Sequence, residues 1–190
     1  MHKVIASSKP KYPTKAIFLD RDGTINIEKN YLFKIEDWEW IPGAIDALRL
    51  LNSRGYLLVV VSNQAGIARG KYSSEDVNKL HQFVQNELSS VQVKIDAFYY
   101  CPHHPQFTGS CCCRKPEPGM LRQAVCDLNV DLESSWLIGD KLSDVDTADV
   151  LGINSILVET GHGRNEVQFC KKNQIVSADI LAASKVIIRK

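Results

Sequence analysis

The stretch AIFLDRDGT, residues 16–24, decides how the chain is read. Ala16, Ile17, Phe18 and Leu19 form a short unbroken apolar run, the pattern of a strand buried on both faces of a sheet. Asp20 and Asp22 follow at once. Two carboxylates are therefore expected at the carboxyl end of that strand, where open parallel sheets bind their ligands. Acids one residue apart can reach one divalent cation. Gly23 lets the backbone turn sharply and come close to a ligand, and Thr24 adds a hydroxyl. An ordinary Asp-Gly turn looks the same locally, so the rest of the chain has to discriminate.

Working outward, strand and helix patterns alternate. Residues 25–41 have no helical period and read as a loop or short hairpin, with Trp38, Trp40 and Ile41 covering a core edge. Pro42 suits the first position of a helix. The stripe of that helix is Ala44, Ile45, Leu48 and Leu51, and Gly55 stops it. Residues 56–64 (YLLVVVSNQ) form a second buried strand. A strand, a helix and a parallel strand make a right-handed unit, so Ser62 is expected at the sheet edge that carries Asp20. Ala65 opens a glycine-punctuated loop with Arg69 and Lys71, readable as a phosphate-side loop or a solvated connection. Ser73 and Asp76 have capping-box spacing ahead of Val77, Leu80, Val84 and Leu88.

A third strand is expected at 96–100, a fourth at 135–138 and a fifth at 154–158. The fourth runs into Gly139-Asp140-Lys141, which brings a third carboxylate to the same edge. Asp144 either supports that site or caps the next helix. After Gln174 a short strand and terminal helix are expected. The fold class is α/β, a doubly wound, mainly parallel, Rossmann-like sheet.

Residues 101–119 (CPHHPQFTGSCCCRKPEPG) carry the second strong signal. Cys101 and His103, then Cys111 and Cys113, offer three thiolates and an imidazole, a tetrahedral zinc set with no open position. His104 could stand in for His103. Cys112 lies between two ligands and points the other way in an extended chain. Pro102, Pro105 and Gly109 argue for a loop and against a helix between the pairs. Such a zinc is structural, and it stiffens the segment that ends in Arg114 and Lys115. Cys126 and Cys170 read as ordinary buried thiols.

The chain has 190 residues, 44% hydrophobic, with a net charge of +1. This size favours one domain with a sizeable core. The charge gives no reason to expect nucleic acid or an anionic membrane as partner. Residues 1–13 read as a flexible leader, without the apolar core of a signal peptide. One domain, residues 14–190, follows, with the zinc loop at 101–113. A cytoplasmic, reducing location and a monomer are expected, and there six cysteines bind metal more readily than they form disulfides.

Asp20-Arg21-Asp22-Gly23-Thr24 resembles motif I of the haloacid dehalogenase-like phosphohydrolases. Ser62, Lys115 and Asp140 follow in the order of the other motifs. The strings DRDGTIN, SNQAGIARGKY, YYCPHHP, CRKPEPGM and GDKLSD are together similar to the D-glycero-D-manno-heptose 1,7-bisphosphate phosphatases. The resemblance covers roughly residues 14–165. It implies a cytosolic, Mg²⁺-dependent, zinc-containing enzyme without a large cap domain. The enzyme would remove the C7 phosphate and leave the C1 phosphate for nucleotide activation, as in lipopolysaccharide core heptose synthesis.

By the same resemblance Asp20 is nucleophile and metal ligand. Asp22 is general acid/base and a metal ligand through its backbone. Ser62 and Lys115 stabilise the phosphoryl group, and Asp140 completes the oxygen set that Mg²⁺ requires. Arg114 recognises substrate. Glu28, Lys29, Asn30, Tyr31, Asn63, Gln64, Ala65 and Lys141 line the site with Ser62 and Lys115. Motif II ends in Ser where Thr is common, and the loop between the zinc pairs is short. A histidinol-phosphate phosphatase shares the motif I acids and the zinc loop; the segment GIARGKY favours the heptose family. A non-catalytic zinc-stabilised binding module is the alternative of another class, and it has no need of Asp20, Asp22, Lys115 and Asp140 together.

Overall fold

A computed structural model describes residues 1–190. Seven strands form one sheet: β1 (His2–Ile5), β2 (Thr14–Leu19), β3 (Leu57–Asn63), β4 (Ala97–Cys101), β5 (Val130–Gly139), β6 (Asn154–Val158) and β7 (Ile175–Ser177). Their spatial order is β1-β4-β3-β2-β5-β6-β7. All neighbours are parallel except β1 and β4. From β2 the chain winds outward through β3 and β4, then returns to the other side of β2 and winds outward through β5, β6 and β7. The carboxyl ends of β2 and β5 thus flank the point where the winding reverses, the place for a ligand crevice. Asp20 follows β2 and Asp140 follows β5.

Strand side chains alternate between the faces, as the two-residue period requires. Ile17, Leu19, Leu58 and Val60 pack on one face with Ala47, Leu48 and Leu51 of α1 (Ala44–Ser53), Val84 and Leu88 of α2 (Ser74–Ser90) and Ile180 and Ile187 of α7 (Ile180–Ile187). Phe18, Val59 and Val61 face the opposite core. There they meet Met120, Leu121, Ala124 and Leu128 of α4 (Gly119–Leu128) and Ala148 of α5 (Leu142–Leu151). Helices on both faces explain why the strands are apolar throughout. Two one-turn helices, α3 (Pro105–Thr108) and α6 (Gly163–Glu166), sit in loops at the carboxyl edge.

Local chemistry sets several boundaries. Ser73 and Asp76 form the expected reciprocal capping box at α2. Helix α1 starts later than Pro42 suggests, because Gly43 adopts φ +79° at the cap position, a conformation suited to glycine. Strand β5 is longer than its apolar run. Val130 and Asp131 pair with Thr14 and Lys15, then the register shifts. The Ser135 hydroxyl accepts the Ala16 N–H there at 2.8 Å, so a side chain takes over the ladder bond that the bulge interrupts.

Three expectations are corrected. Residues 2–5 are an edge strand against β4, not a loose leader. His2 stacks on Tyr100 at 5.1 Å, Ala6 N–H reaches the Asp96 carbonyl at 2.8 Å, and Ser7 bonds the Asp96 carboxylate. The other Asp96 oxygen accepts Leu58 N–H at 2.9 Å. The loop expected to hold zinc does contain a helical turn, α3, because Pro105 suits its first position and the His104 ring accepts the Gln106 N–H. Cys126 is exposed and Cys170 half-buried, so neither is a core thiol.

Deleting residues 1–6 should lower the melting temperature by several degrees, since the chain loses strand hydrogen bonds worth about 0.5–1.5 kcal/mol each. A loose tail would leave the melting curve unmoved.

Candidate active site

The turn after β2 starts the site. Asp20 is nearly buried, and its Oδ1 accepts the Arg21 N–H at 2.7 Å and lies 2.9 Å from Lys115 Nζ. Asp22 turns toward a different set of donors. Arg21 Nε and Nη2 fork onto it at 2.9–3.1 Å, Asn26 Nδ2 adds a bond at 3.0 Å, and Gln64 Nε2 another at 3.0 Å. Arg21 is wholly buried and is fixed from behind by the Leu32 carbonyl at 2.8 Å. Gly23 has φ +85°, and a Cβ on it would overlap the Asp140 carboxylate. The same holds for Gly161 on the facing loop. Glycine at both positions lets two backbones close on Asp140.

Lys115 is the centre of the arrangement. Its ammonium is 2.9 Å from Asp20 Oδ1, 2.6 Å from Asp144 Oδ1 and donates to the Val61 carbonyl at 2.7 Å. The Val61 carbonyl takes a hydrogen bond from the ammonium, and Asp20 and Asp144 pair with it as ions on two other sides. The Asn63 side chain clamps the Lys115 backbone, accepting its N–H at 3.0 Å and donating to its carbonyl at 3.1 Å. Asn63 is therefore a strut as well as part of the wall.

Asp140 has no exposed surface. Its Oδ2 accepts His162 N–H at 2.8 Å, while its Oδ1 has no hydrogen-bond partner. Ligand oxygens of Asp20, Asp140 and Asp144 lie within 4.8 Å of one another. Burial, with Asp20 alongside, pushes the Asp140 carboxyl up to about 8. Burial also raises Asp144, to about 6, against the pull of Lys115. For Asp20 burial acts upward, but Lys115 and Lys141 outweigh it and hold it below the usual value. The cluster is short of positive charge. A divalent cation would supply that charge, and Asp140 Oδ1 offers it a free oxygen.

These groups open onto a polar cavity of about 370 Å³. Ser62, Gln64 and Ala65 line one side, and Glu28, Asn30, Tyr31 and Lys141 another. Asn30 and Tyr31 take φ +53° and +75°, strained backbone of the kind that collects at binding loops. Lys141 Nζ lies 3.6 Å from Glu28 Oε2 and 4.0 Å from Asp140 Oδ1. Burial acts to lower its pKa, but Asp20, Asp140 and Glu28 raise it. Lys29 does not join them. It pairs with Glu39 at 3.1 Å and is outside the cavity wall.

Arg114 lines the cavity, with Nη1 on the His103 carbonyl at 3.3 Å. Arg69, Tyr72, His104, Ser143 and His162 also line it, and Asp144 lies beneath. The first five were not among the expected site residues; Asp144 was expected either to support the site or to cap the next helix, and it does both, pairing with Lys115 and accepting the Lys141 N–H. For Arg69 and Tyr72 the glycine-punctuated loop was a usable signal. His104 was visible only as a substitute ligand, and its Nε2 instead meets Arg69 at 3.0 Å.

Beside the cavity, Cys101, His103, Cys111 and Cys113 converge, and Cys112 stays exposed. Their sulfurs are 3.2–3.6 Å apart, and His103 Nδ1 is 3.5 Å from Cys113 and 3.7 Å from Cys101. No pair is at disulfide distance. A Cβ at Gly119 would overlap the Cys112 carbonyl, so glycine lets the loop close onto α4.

The haloacid dehalogenase-hydrolase-like family (HAD-hydrolase-like) matches residues 112–185. The chain is 43% identical over 180 residues to the D-glycero-β-D-manno-heptose-1,7-bisphosphate 7-phosphatase of Photorhabdus laumondii, covering 90% of this chain and 96% of that one. The enzyme of the same name from Pasteurella multocida is 46% identical over 152 residues, 77% of this chain and 83% of that one. The chain belongs to the D-glycero-β-D-manno-heptose-1,7-bisphosphate 7-phosphatase family. A solved D,D-heptose 1,7-bisphosphate phosphatase from B. bronchiseptica, complexed with magnesium and phosphate, superposes with TM-score 0.85 at 32% identity. It covers 92% of this chain and 98% of that one. The cavity is walled by the end of β3, the start of α5 and the loops between them.

Asp144→Ala should destabilise the fold by about 3–5 kcal/mol in denaturant unfolding, because it strips a buried ammonium of one acceptor. An unchanged midpoint would mean that Asp144 is no part of the support.

Proposed function

We propose that the chain hydrolyses the C7 phosphate of D-glycero-β-D-manno-heptose 1,7-bisphosphate, leaving heptose 1-phosphate. The observation that carries this reading is the 43% identity spanning nearly the whole of a relative of that name, and the Asp20–Lys115 centre supplies the chemistry. Asp20 Oδ1 is engaged twice, which leaves Oδ2 to attack phosphorus. The P–O bond to C7 breaks as the bond to Asp20 forms, and Asp22 gives a proton to the leaving oxygen. Water then attacks the aspartyl-phosphate, its proton passes to Asp22, and phosphate leaves with Asp20 restored. Splitting one displacement into two lowers the barrier of each.

Ser62 and Lys115 hold the equatorial oxygens, on which the transferred charge accumulates. Lys115 already pairs with two carboxylates, and it turns part of that charge onto a phosphoryl oxygen. Arg114 takes remote parts of the substrate, where a planar fork suits phosphate. Asp20, Asp140 and the Asp22 backbone would hold Mg²⁺, which supplies positive charge to the transferring group.

Zinc suits the four-residue cluster. Tetrahedral bonds of ordinary length put sulfurs about 3.8 Å apart and sulfur from nitrogen about 3.6 Å; the two Cys111 spacings and both His103 spacings come close to this, and Cys101 and Cys113, at 3.2 Å, would part slightly around the ion. Cys113 lies two residues before Lys115, so this metal fixes the ammonium's approach without touching the reaction. Free thiols throughout agree with a cytoplasmic, reducing location, and we read the enzyme as a monomer.

Asp20→Asn should lose at least ~10³ in turnover, about 4 kcal/mol of barrier, in a Mg²⁺-dependent phosphate-release assay; near-normal release refutes the nucleophile. A panel should rank heptose 1,7-bisphosphate above histidinol phosphate, and the reverse order would reassign the substrate. Cys113→Ser should lower zinc content, melting temperature and activity together; freshly purified wild type without zinc would refute the structural metal.

A further inference from the structure

Gln64 and Tyr72 have no assigned part in the chemistry, yet they sit directly behind it. The Gln64 side chain touches three groups. Its Nε2 lies 3.0 Å from Asp22 Oδ2 and 2.8 Å from Ser62 Oγ, and its Oε1 lies 2.6 Å from the Tyr72 hydroxyl. Elementary donor counting decides which way the amide faces. Whenever Asp22 is ionised it only accepts, so in that state the NH₂ faces Asp22. The carbonyl then faces Tyr72, which must donate. Each group has one role open to it, and the three are consistent.

The loop is shaped around this tyrosine. Tyr72 is nearly buried, and its ring stacks on Phe33 at 5.1 Å. A Cβ at Gly66 would fall inside the Tyr72 ring, so glycine is required for the ring to lie there. The hydroxyl therefore reaches Gln64 from a fixed platform. Asp22 needs such a fixture. Arg21 and Asn26 hold it from the side away from β3, and Gln64 is the donor from the β3 side.

We infer that Gln64 and Tyr72 are positioning residues for the acid/base: Tyr72 orients the Gln64 amide, and that amide seats Asp22 for proton transfer to the leaving oxygen. Building on the phosphatase reading, this names what aims its acid. Ser62 is the second anchor. Because its oxygen accepts from Gln64, its own hydrogen is turned elsewhere.

The test compares two leaving groups in a single turnover with enzyme in excess. Heptose 1,7-bisphosphate loses an alkoxide, which needs the proton. 4-Nitrophenyl phosphate loses a phenolate that departs unprotonated near neutral pH. The readout is the alkyl-to-aryl ratio of first-turnover leaving-group release. Tyr72→Phe keeps the ring on Gly66, and it should lower the ratio at least fivefold. Gln64→Met, which fills the space without donors, should lower it further. A purely structural role would slow both esters alike and leave the ratio unchanged, which overturns the inference. Wild type that turns over neither ester removes the phosphatase reading and the inference with it. Wild type that turns over both, with variants of unchanged ratio, removes the inference alone.

Discussion

The site depends on one buried ammonium. Lys115 Nζ joins Asp20 at the end of β2, the Val61 carbonyl in β3 and Asp144 in α5. Three separate parts of the sheet edge are thereby held at one point. An ion buried this deeply is tolerable only where its donors are all met. The surrounding geometry has little freedom as a result. Asn63 fixes the backbone of the same residue from β3, and Cys113, two residues earlier, belongs to the cysteine-histidine cluster. The cysteine-histidine loop, Asp20 and the β3 edge thus form one mechanical unit.

Charge in this unit is deliberately out of balance. Carboxylates of Asp20, Asp140 and Asp144 crowd within 4.8 Å, with Lys115 and Lys141 the nearest cations. The upward shifts at Asp140 and Asp144 have burial as their main cause. The excess of carboxylate makes the pocket attractive to a divalent cation, and that cation in turn makes it hospitable to a phosphate dianion. The far wall contributes the complementary sign. Arg69 rests on Phe107 at 4.9 Å and meets His104, and Arg114 is tied to the His103 carbonyl. Both guanidinium groups are held by the cysteine-histidine loop, not by carboxylates, so their charge stays available to an anionic ligand.

Much of this was legible from residues 16–24 outward. Apolar runs of strand length, each ending in a polar group, place Asp20, Ser62 and Asp140 at one sheet edge, because parallel strands joined by right-handed crossovers share a carboxyl end. The spacing Cys101-x-His103 and Cys111-x-Cys113 names the four converging side chains. The choice of His103 over His104 needed the fold, since the loop turns at α3 and sends His104 toward Arg69. Strand β1 was hidden for a similar reason. His2–Ile5 is short and mostly exposed, and it becomes a strand only because β4 offers an open edge and Asp96 two acceptors.

Local sequence determined the elements and the chemistry each one ends in, because propensity, capping and apolar period act over a few residues. Tertiary structure alone decided which groups meet. Asp144 is 29 residues from Lys115 and Tyr72 is 50 from Asp22, so no local pattern ties them. Burial completes the selection: inside the protein every donor must find an acceptor, and that requirement turned a helix-cap aspartate into a partner of Lys115 and a loop tyrosine into the partner of Gln64.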